Sequence, residues 1–389
     1  MGGRRAKEHI AEAQLSRWRL IEEFEQRLEG AREAGEEPVT FADRRRRLGQ
    51  KDYLSLLLFG LFNPVVDSMR GLCAASRLHR VQEAVCSGAV SLGSYSEAQA
   101  VVDRGLLQRV FAELAAEEQS GREPVADRRL ERYREELLVV DSTLWRALPR
   151  MAWALWRYQH GQESALRLQI KFNIWKDKPV EAAVASARRC ERALLLSGIK
   201  AGEFYVGDRY YGENYALFGQ LEEAGCSYLL RLRQEAAFEP VEQWELSEAD
   251  KGASVTFDGL VRLGTKKHHR RLIRLVRVQS QRGELLLVSN KTRKQLSAEL
   301  IAEIYRSRWR VELFFKWLKC ILGCRHWLAE SERGVALQVY CALIAALLLL
   351  RHCGRRPNKR AMEMIRFYLL GYATIDELSA NLGLQQKAA

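Results

Sequence analysis

The segment YRSRWRVELFFKWLK, residues 305–319, is the stretch on which the interpretation of the whole chain depends. In a helix, residues three and four apart lie on one face. The polar face here places one carboxylate among four donor side chains, and its members are Tyr305, Arg308, Glu312, Lys316 and Lys319. The apolar residues fall on a separate arc that suits packing against a sheet. We predict one helix over residues 297–322, N-capped by Ser297, that is suited to phosphate chemistry.

The composition is that of an ordinary folded protein. The chain has 389 residues, of which 47% are hydrophobic and 29% are charged. It is long enough to bury a sizeable core and to form two or three domains. The formal charge of +13 favours a polyanionic partner, and nucleic acid is one such partner.

Cysteine usage and hydropathy indicate a cytoplasmic protein. The eight cysteines form no C-x-x-C pair and no secretory signal peptide is recognised, so we expect reduced, mostly buried thiols. Cys320 and Cys324 have no two further ligands nearby, and a zinc site is not predicted. The apolar run CALIAALLLL, residues 341–350, is shorter than the roughly 20 residues that cross a bilayer, so we predict a buried core helix.

The N-terminal third of the chain is predicted to be helical. Residues 1–50 are highly charged, and residues 51–120 form short amphipathic segments with breaks at Asn63-Pro64, Gly71 and Ser87-Gly88. The run of arginines at positions 44–47 suits either phosphate contacts or a solvated helix end.

The central part of the chain predicts a mixed α/β sheet. Residues 137–140 are apolar and end at Asp141, residues 165–175 alternate with period two, and residues 204–207 end at Asp208. Residues 228–232 form a further strand. Residues 179–197 and 215–224 are predicted as helices between the strands, which is typical of a mixed sheet flanked by helices.

A basic stretch follows in a region that is rich in predicted strands. Residues 261–278 carry closely spaced cations with few acids between them, including Arg270, Arg271 and Arg274. A basic hairpin along a DNA backbone explains this pattern, and an edge strand protected by charge is the alternative. The first interpretation is preferred because the cations are nearly unopposed by acids.

Three acidic residues are candidates for chemistry. Asp141 and Asp208 follow predicted strands and Glu312 lies on a later helix, so all three can meet at one edge of the sheet. Carboxylate oxygens suit Mg²⁺ or Mn²⁺, and two such ions can promote phosphoryl transfer. Each acid also has a structural explanation: Asp141 can stabilise a turn, Asp208 can pair with Arg209, and Glu312 can pair with Lys316.

The sequence resembles the insertion sequence four group of DDE transposases. The spacing Tyr305–x2–Arg308–x3–Glu312–x6–Lys319 matches the Y-R-E-K signature of that group. The segments VVDST around Asp141 and VGDRYYG around Asp208 resemble its two aspartate motifs, and the separations between the three acids also fit. The resemblance covers roughly residues 137–350 well, and the N-terminal part only loosely.

The resemblance implies a ribonuclease H-like core that uses two divalent metal ions, Mg²⁺ or Mn²⁺. It also implies double-stranded DNA as partner, at transposon ends and target, and a homodimer in the synaptic complex. Asp141, Asp208 and Glu312 would hold the metals. Tyr305, Arg308 and Lys319 would contact phosphates near the transposon end, with Lys316 as a possible addition. Some relatives stack a flipped base on a tryptophan, for which Trp244 is a possible counterpart, and His326 is expected to be structural or to contact DNA.

The resemblance also divides the chain into five parts. Residues 1–125 would be a helical DNA-binding domain, and residues 126–233 and 285–350 the two parts of the catalytic core. Residues 234–284 would be a β-rich insertion, and residues 351–389 a C-terminal helical segment. The expected reaction is cleavage of the transposon end followed by joining of its 3′-hydroxyl to target DNA. A metal-dependent nuclease without strand joining and an inactive DNA-binding descendant are the alternatives.

Overall fold

The structure, a computed structural model, describes residues 19–33, 48–63, 65–117, 127–146, 151–158, 161–265, 268–281, 283–324 and 327–382. The chain divides into two compact units. The first contains the described residues of Met1–Gln119, Ala147–Trp153 and Lys316–Ala389, and the second those of Ser120–Arg146 and Ala154–Phe315. The predicted division into five parts remains a prediction. The arginines at positions 44–47 and His326 lie outside the described residues.

Six helices come first in the described chain. They are α1 (Arg19–Glu33), α2 (Gln50–Phe62), α3 (Met69–Ala75), α4 (His79–Ala84), α5 (Leu92–Val101) and α6 (Arg104–Ala116). The predicted breaks after α2 and between α4 and α5 are present. Gly71, in contrast, lies inside α3, because the Ser68 hydroxyl accepts its backbone N–H at 3.1 Å and caps the first turn.

The second unit is built on one mixed sheet. Its strands are β1 (Leu137–Arg146), β2 (Leu155–Tyr158), β3 (Gly161–Asn173), β4 (Lys178–Ser186), β5 (Phe204–Gly207), β6 (Ser227–Arg231), β7 (Phe238–Gln243), β8 (Val255–Thr265), β9 (His268–Ser280) and β10 (Gly283–Ser289). The order is β2-β3-β1-β5-β6-β10-β9-β8-β7, with β4 also paired to β3. Among the described strands, the parallel pairs are β1–β5 and β5–β6. The predicted mixed α/β sheet is confirmed.

Strand β1 is longer than predicted. It continues past Asp141 to Arg146, because β3 pairs with it antiparallel from Leu138 to Arg146. Its parallel neighbour β5 pairs only with Leu137–Val139 and ends at Gly207. Asp141 therefore lies inside β1, at a level where the neighbouring strand β5 has already ended. The prediction that Asp141 ends a strand was wrong.

The prediction of a helix over residues 179–197 was also wrong for the first half of that segment. Residues Lys178–Ser186 form β4, and only Glu191–Leu196 are helical. The turn at residues 174–177, with Asp177 at a φ of 51°, reverses the chain so that β4 pairs with β3 from Asn173 to Leu166. This pairing overrides the helix preference of the alanines in β4.

Six further helices are described between residues 127 and 324. They are α7 (Glu191–Leu196), α8 (Arg209–Gly212), α9 (Tyr215–Glu223), α10 (Glu248–Gly252), α11 (Ala298–Ser307) and α12 (Trp309–Cys320). Leu195, Leu217 and Phe218 pack on one face of the sheet against residues such as Tyr228. On β3, Phe172 contacts Phe314 of α12, with ring centroids 5.6 Å apart. Helices thus flank the sheet as predicted.

The predicted helix over residues 297–322 is two helices. The break is at Arg308, whose N–H bonds to the Tyr305 carbonyl, three residues back, and whose own carbonyl accepts from Val311. These shorter bonds interrupt the regular α-helical ladder between α11 and α12. Ser297 does occupy the N-cap position, but its side chain makes no capping hydrogen bond.

The last described residues form three helices of the first unit: α13 (Glu332–Cys353), α14 (Lys359–Leu369) and α15 (Ile375–Leu382). Helix α13 has 22 residues, so it is longer than the apolar run predicted, and by length and composition alone it would reach across a bilayer. However, 94% of its most apolar window is buried within the protein, as in the core helix of a water-soluble domain. Tyr340 of α13 accepts a hydrogen bond from Gln108 of α6 at 3.0 Å.

Candidate active site

The two aspartates lie side by side in the second unit, one within a strand and the other directly after the neighbouring parallel strand. Asp141 belongs to β1, and Asp208 follows the last residue of β5 and caps α8. The Asp141 Oδ1 accepts the Ser142 N–H at 2.8 Å, and the Asp208 Oδ1 accepts the Tyr210 N–H at 3.0 Å. Each carboxylate thus has one oxygen bonded to a nearby backbone N–H. Asp141 does not stabilise a turn, because it lies in a strand. Asp208 does not pair with Arg209, because Arg209 pairs with Glu213.

Arg308 joins Asp141 to Glu312. Its guanidinium lies 2.5 Å from Glu312 Oε1 and 3.5 Å from Asp141 Oδ2. Because Arg308 ends α11 and Glu312 lies in the first turn of α12, the break between the helices lies beside the acidic residues. The partner of Glu312 is therefore Arg308, four residues before it, and not the Lys316 of the alternative explanation.

The electrostatics of Asp141 show that the three acids share one environment. Burial raises the pKa of the Asp141 carboxyl, the Arg308 charge lowers it, and the charges of Asp208 and Glu312 raise it, with a result of about 7. A carboxyl that is half-protonated near neutral pH through burial and like charges is typical of a functional site. The structure thus brings together the three acids that the sequence singled out.

The other signature residues differ in exposure. Tyr305 is buried, and its hydroxyl has no hydrogen-bond partner among the described residues, while its ring lies 5.8 Å from the Arg308 guanidinium carbon. Burial raises the pKa of Tyr305, and the charges of Arg308 and Arg231 lower it. On α12, Lys316 is exposed and Lys319 is half-buried. Contacts of these residues with phosphate remain predictions.

The donor set fits a divalent metal ion. Asp141, Asp208 and Glu312 offer only carboxylate oxygens, which Mg²⁺ and Mn²⁺ prefer. The Arg308 guanidinium already places a positive charge between two of them. Within the described part of the chain, no three histidine, cysteine, aspartate or glutamate side chains form a ready-made metal cage.

The basic hairpin is not the unopposed patch that the sequence predicted. Strand β9 lies between β8 and β10, so the edge-strand alternative is wrong as well. The Arg271 guanidinium pairs with Glu222 of α9, and further arginines pair with Glu239 and Glu284. Those acids are far away in sequence or on the next strand, so composition within the stretch could not reveal them. The side chain of Arg270 lies outside the described residues.

Arg274 has a structural role, so the prediction that it contacts DNA was wrong. It is 4% exposed and forms two hydrogen bonds with Asp258, at 2.8 and 2.9 Å. Its remaining nitrogen donates to the Leu296 carbonyl at 2.6 Å. Trp244 lies nearby, with its ring 5.7 Å from the Arg274 guanidinium carbon and its indole N–H donating to Glu242 at 2.6 Å. Trp244 lines a cavity of about 870 Å³ in the second unit.

Three polar residues of β3 were missed as candidates. Arg167, Gln169 and Lys171 occupy the polar positions of the period-two pattern that predicted a half-buried strand. All three are buried, at 8%, 6% and 5% exposure, because α7 and its neighbouring turns cover that face. A polar side chain at every second position of a strand, two of the three being cations, was the available signal, but only the structure reveals that the face is covered.

Comparison with known proteins indicates the family of this chain. Residues 132–348 match the family model described as Transposase DDE domain, which is more than half of the chain. The chain is 27% identical over 238 residues to a putative transposase, y4zB, of Sinorhizobium fredii, covering 60% of this chain and 65% of that protein. It is 28% identical over 230 residues to a probable transposase for insertion sequence element IS5377 of Geobacillus stearothermophilus, covering 57% and 58%.

These alignments span less than two thirds of each of these relatives. Among solved structures, a piggyBac transposase synaptic complex with hairpin DNA aligns with 96% of this chain and 80% of that one, at 10% identity and a TM-score of 0.44. That likeness is too weak to support a conclusion about this chain. The predicted membership of the insertion sequence four group remains a prediction.

Proposed function

This chain belongs to the DDE transposase family, and we propose that it cleaves the ends of its transposon and joins the freed 3′-hydroxyl to target DNA. The observation that supports the proposal is that Arg308 pairs with both Asp141 and Glu312, while the charge of Asp208 raises the pKa of Asp141. A DNA-binding protein without catalysis has no use for three carboxylates that face a polyanion, since they repel phosphate.

The roles of the residues follow from their chemistry. Asp141, Asp208 and Glu312 would hold Mg²⁺ or Mn²⁺ through their carboxylate oxygens. When bound, two such ions activate the attacking oxygen and stabilise the leaving one. Arg308 balances the charge of Asp141 and Glu312, and on arrival of DNA its guanidinium is placed to bind a phosphate instead. Tyr305, Lys316 and Lys319 contribute further phosphate contacts.

Partners and location follow from the same proposal. Double-stranded DNA is the substrate, as transposon end and as target, and the +13 charge favours its capture. A homodimer would hold two ends together. The protein would act in the cytoplasm of a bacterium, on the DNA of the nucleoid.

The site assignment is tested by cleavage and binding of the same DNA. The substrate is a labelled duplex that carries the inverted repeat flanking the coding sequence. We expect Asp208→Ala and Glu312→Ala to abolish Mg²⁺-dependent cleavage while end binding in a gel-shift assay stays within about threefold, because each change removes a metal ligand and leaves the cationic residues in place.

Glu303→Ala is the matched control. Glu303 lies on α11, one helix before Glu312, and pairs with Arg306 at 3.7 Å on the surface. This variant should cleave at the wild-type rate. Wild-type cleavage by either Asp208→Ala or Glu312→Ala would show that the acids are not catalytic.

A further inference from the structure

A buried polar network lies on the face of the sheet opposite to Asp141. On β3, Arg167 and Gln169 pair in register with Leu144 and Ser142 of β1, so they share the face of Ser142, whereas Asp141 points to the other side. The Arg167 guanidinium donates to the Ser142 hydroxyl at 2.8 Å and pairs with Glu191. The residue that follows Asp141 is thereby connected to the first residue of α7.

The first residues of α7 also bind the segment that follows Asp208. The Tyr211 hydroxyl lies 3.5 Å from Glu191 Oε2 and accepts from Gln169 Nε2 at 2.8 Å. Gln169 also donates to the Glu191 carbonyl at 2.9 Å. Next to Glu191, Arg192 donates to the Tyr210 carbonyl at 2.7 Å. Tyr211 is completely buried, so its hydroxyl has no water to replace these partners.

Glu191 thus connects the surroundings of both aspartates. Through Arg167 it reaches Ser142, and through Tyr211 it reaches the turn capped by Asp208. Burial raises the pKa of Tyr211 well above its ordinary value, and the charges of Glu191, Asp141 and Asp208 raise it further.

We propose that Glu191, with Tyr211, is a positioning residue that fixes the separation of Asp141 and Asp208. Neither residue touches DNA or metal; each acts by holding the backbone that carries a metal ligand. The inference rests on the proposed function, since it assigns these residues a purpose for the metal site. The physical basis is that a buried, fully hydrogen-bonded network is stiff, and metal affinity depends on ligands held in place before the ion arrives.

The test is Mn²⁺ binding to the full-length protein without DNA, measured by calorimetry and by the Mn²⁺-induced rise in Tm. Tyr211→Phe removes only the hydroxyl, and Glu191→Gln removes only the charge. We expect both variants to fold and to bind Mn²⁺ about tenfold more weakly than wild type, in the range found for residues that orient metal ligands.

Tyr205→Phe is the matched control. Tyr205 is equally buried, lies on β5 and loses an equivalent hydroxyl, but that hydroxyl bonds to Glu203, before the strand and away from Asp208. The Tyr205→Phe variant should lose stability but keep the Mn²⁺ affinity of wild type. If the network around Tyr211 were merely structural, Tyr211→Phe would show the same result.

Two results overturn different claims. If wild type binds Mn²⁺ more tightly than Asp208→Ala, but Tyr211→Phe and Glu191→Gln match wild type, the positioning role is wrong and the proposed function stands. If wild type and Asp208→Ala bind Mn²⁺ equally, the three acids are not a metal site, and the proposed function fails together with this inference.

Discussion

Asp141 is the residue whose environment says most about the site. Its carboxyl is 16% exposed, lies 3.5 Å from Arg308 and has a pKa of about 7, because burial and two neighbouring acids outweigh the guanidinium. The sequence indicated the identity of this acid through its motif. It could not indicate the raised pKa, since the responsible charges are 67 and 171 positions away along the chain.

This raised pKa predicts how stability depends on pH. The folded carboxyl holds its proton up to about pH 7, whereas the unfolded one releases it near 3.8, so stability falls as the pH rises between these values. The substitution Asp141→Asn removes this loss of stability at high pH. We expect the variant to have a Tm several degrees above wild type at pH 8 and no such advantage at pH 4, measured by calorimetry without divalent ions. An advantage that is equal at both pH values would contradict the raised pKa.

At the scale of elements, the sequence predicted best where one periodicity dominates. Strands β5 and β6 and helix α9 lie within a residue or two of their predicted bounds, because each is a short apolar or amphipathic segment with clear ends. The prediction failed at β4, where pairing with β3 outweighs alanine's helix preference, and at Arg308, where the ladder is interrupted beside the acids. The first failure comes from the hairpin that joins β3 and β4, and the second from the hydrogen bonds that link Arg308 to Tyr305 and Val311.

Strand β9 gives a prediction that separates stability from DNA binding. Arg274→Ala leaves the buried Asp258 carboxylate without its two hydrogen bonds, and breaking a buried pair in this way costs about 3–5 kcal/mol. We expect a large loss of stability in urea, with little change in DNA affinity for the fraction that stays folded. Arg271→Ala, on the same strand but only half-buried, is the control and should cost much less. Equal losses of stability would count against the structural role of Arg274.

The last turn of α12 gives the complementary prediction. Lys319 belongs to the Y-R-E-K spacing and is expected to contact a phosphate. Lys319→Ala should weaken end binding and reduce the slope of log affinity against log salt by about one, because one fewer counterion is released. The slope is measured by fluorescence anisotropy at several salt concentrations. An unchanged slope would remove Lys319 from the set of phosphate contacts.

At the scale of the whole molecule, the sequence predicted the family, the mixed sheet and the three acids that meet in the second unit. The family model covers residues 132–348, and Asp141, Asp208 and Glu312 all lie within it. What the sequence did not predict is the buried network behind the aspartates and the pairing of the basic hairpin with acids. Both depend on which faces of the sheet are covered.

The central claim is that this site both cuts and joins DNA. The most direct measurement is a single reaction with Mg²⁺, a labelled duplex carrying the flanking inverted repeat, and a supercoiled target plasmid. The account predicts cleavage at the end of the repeat and labelled plasmid with that end covalently joined, and neither product with Glu312→Ala. Cleaved ends without joined plasmid would identify a nuclease on the same fold and contradict the account.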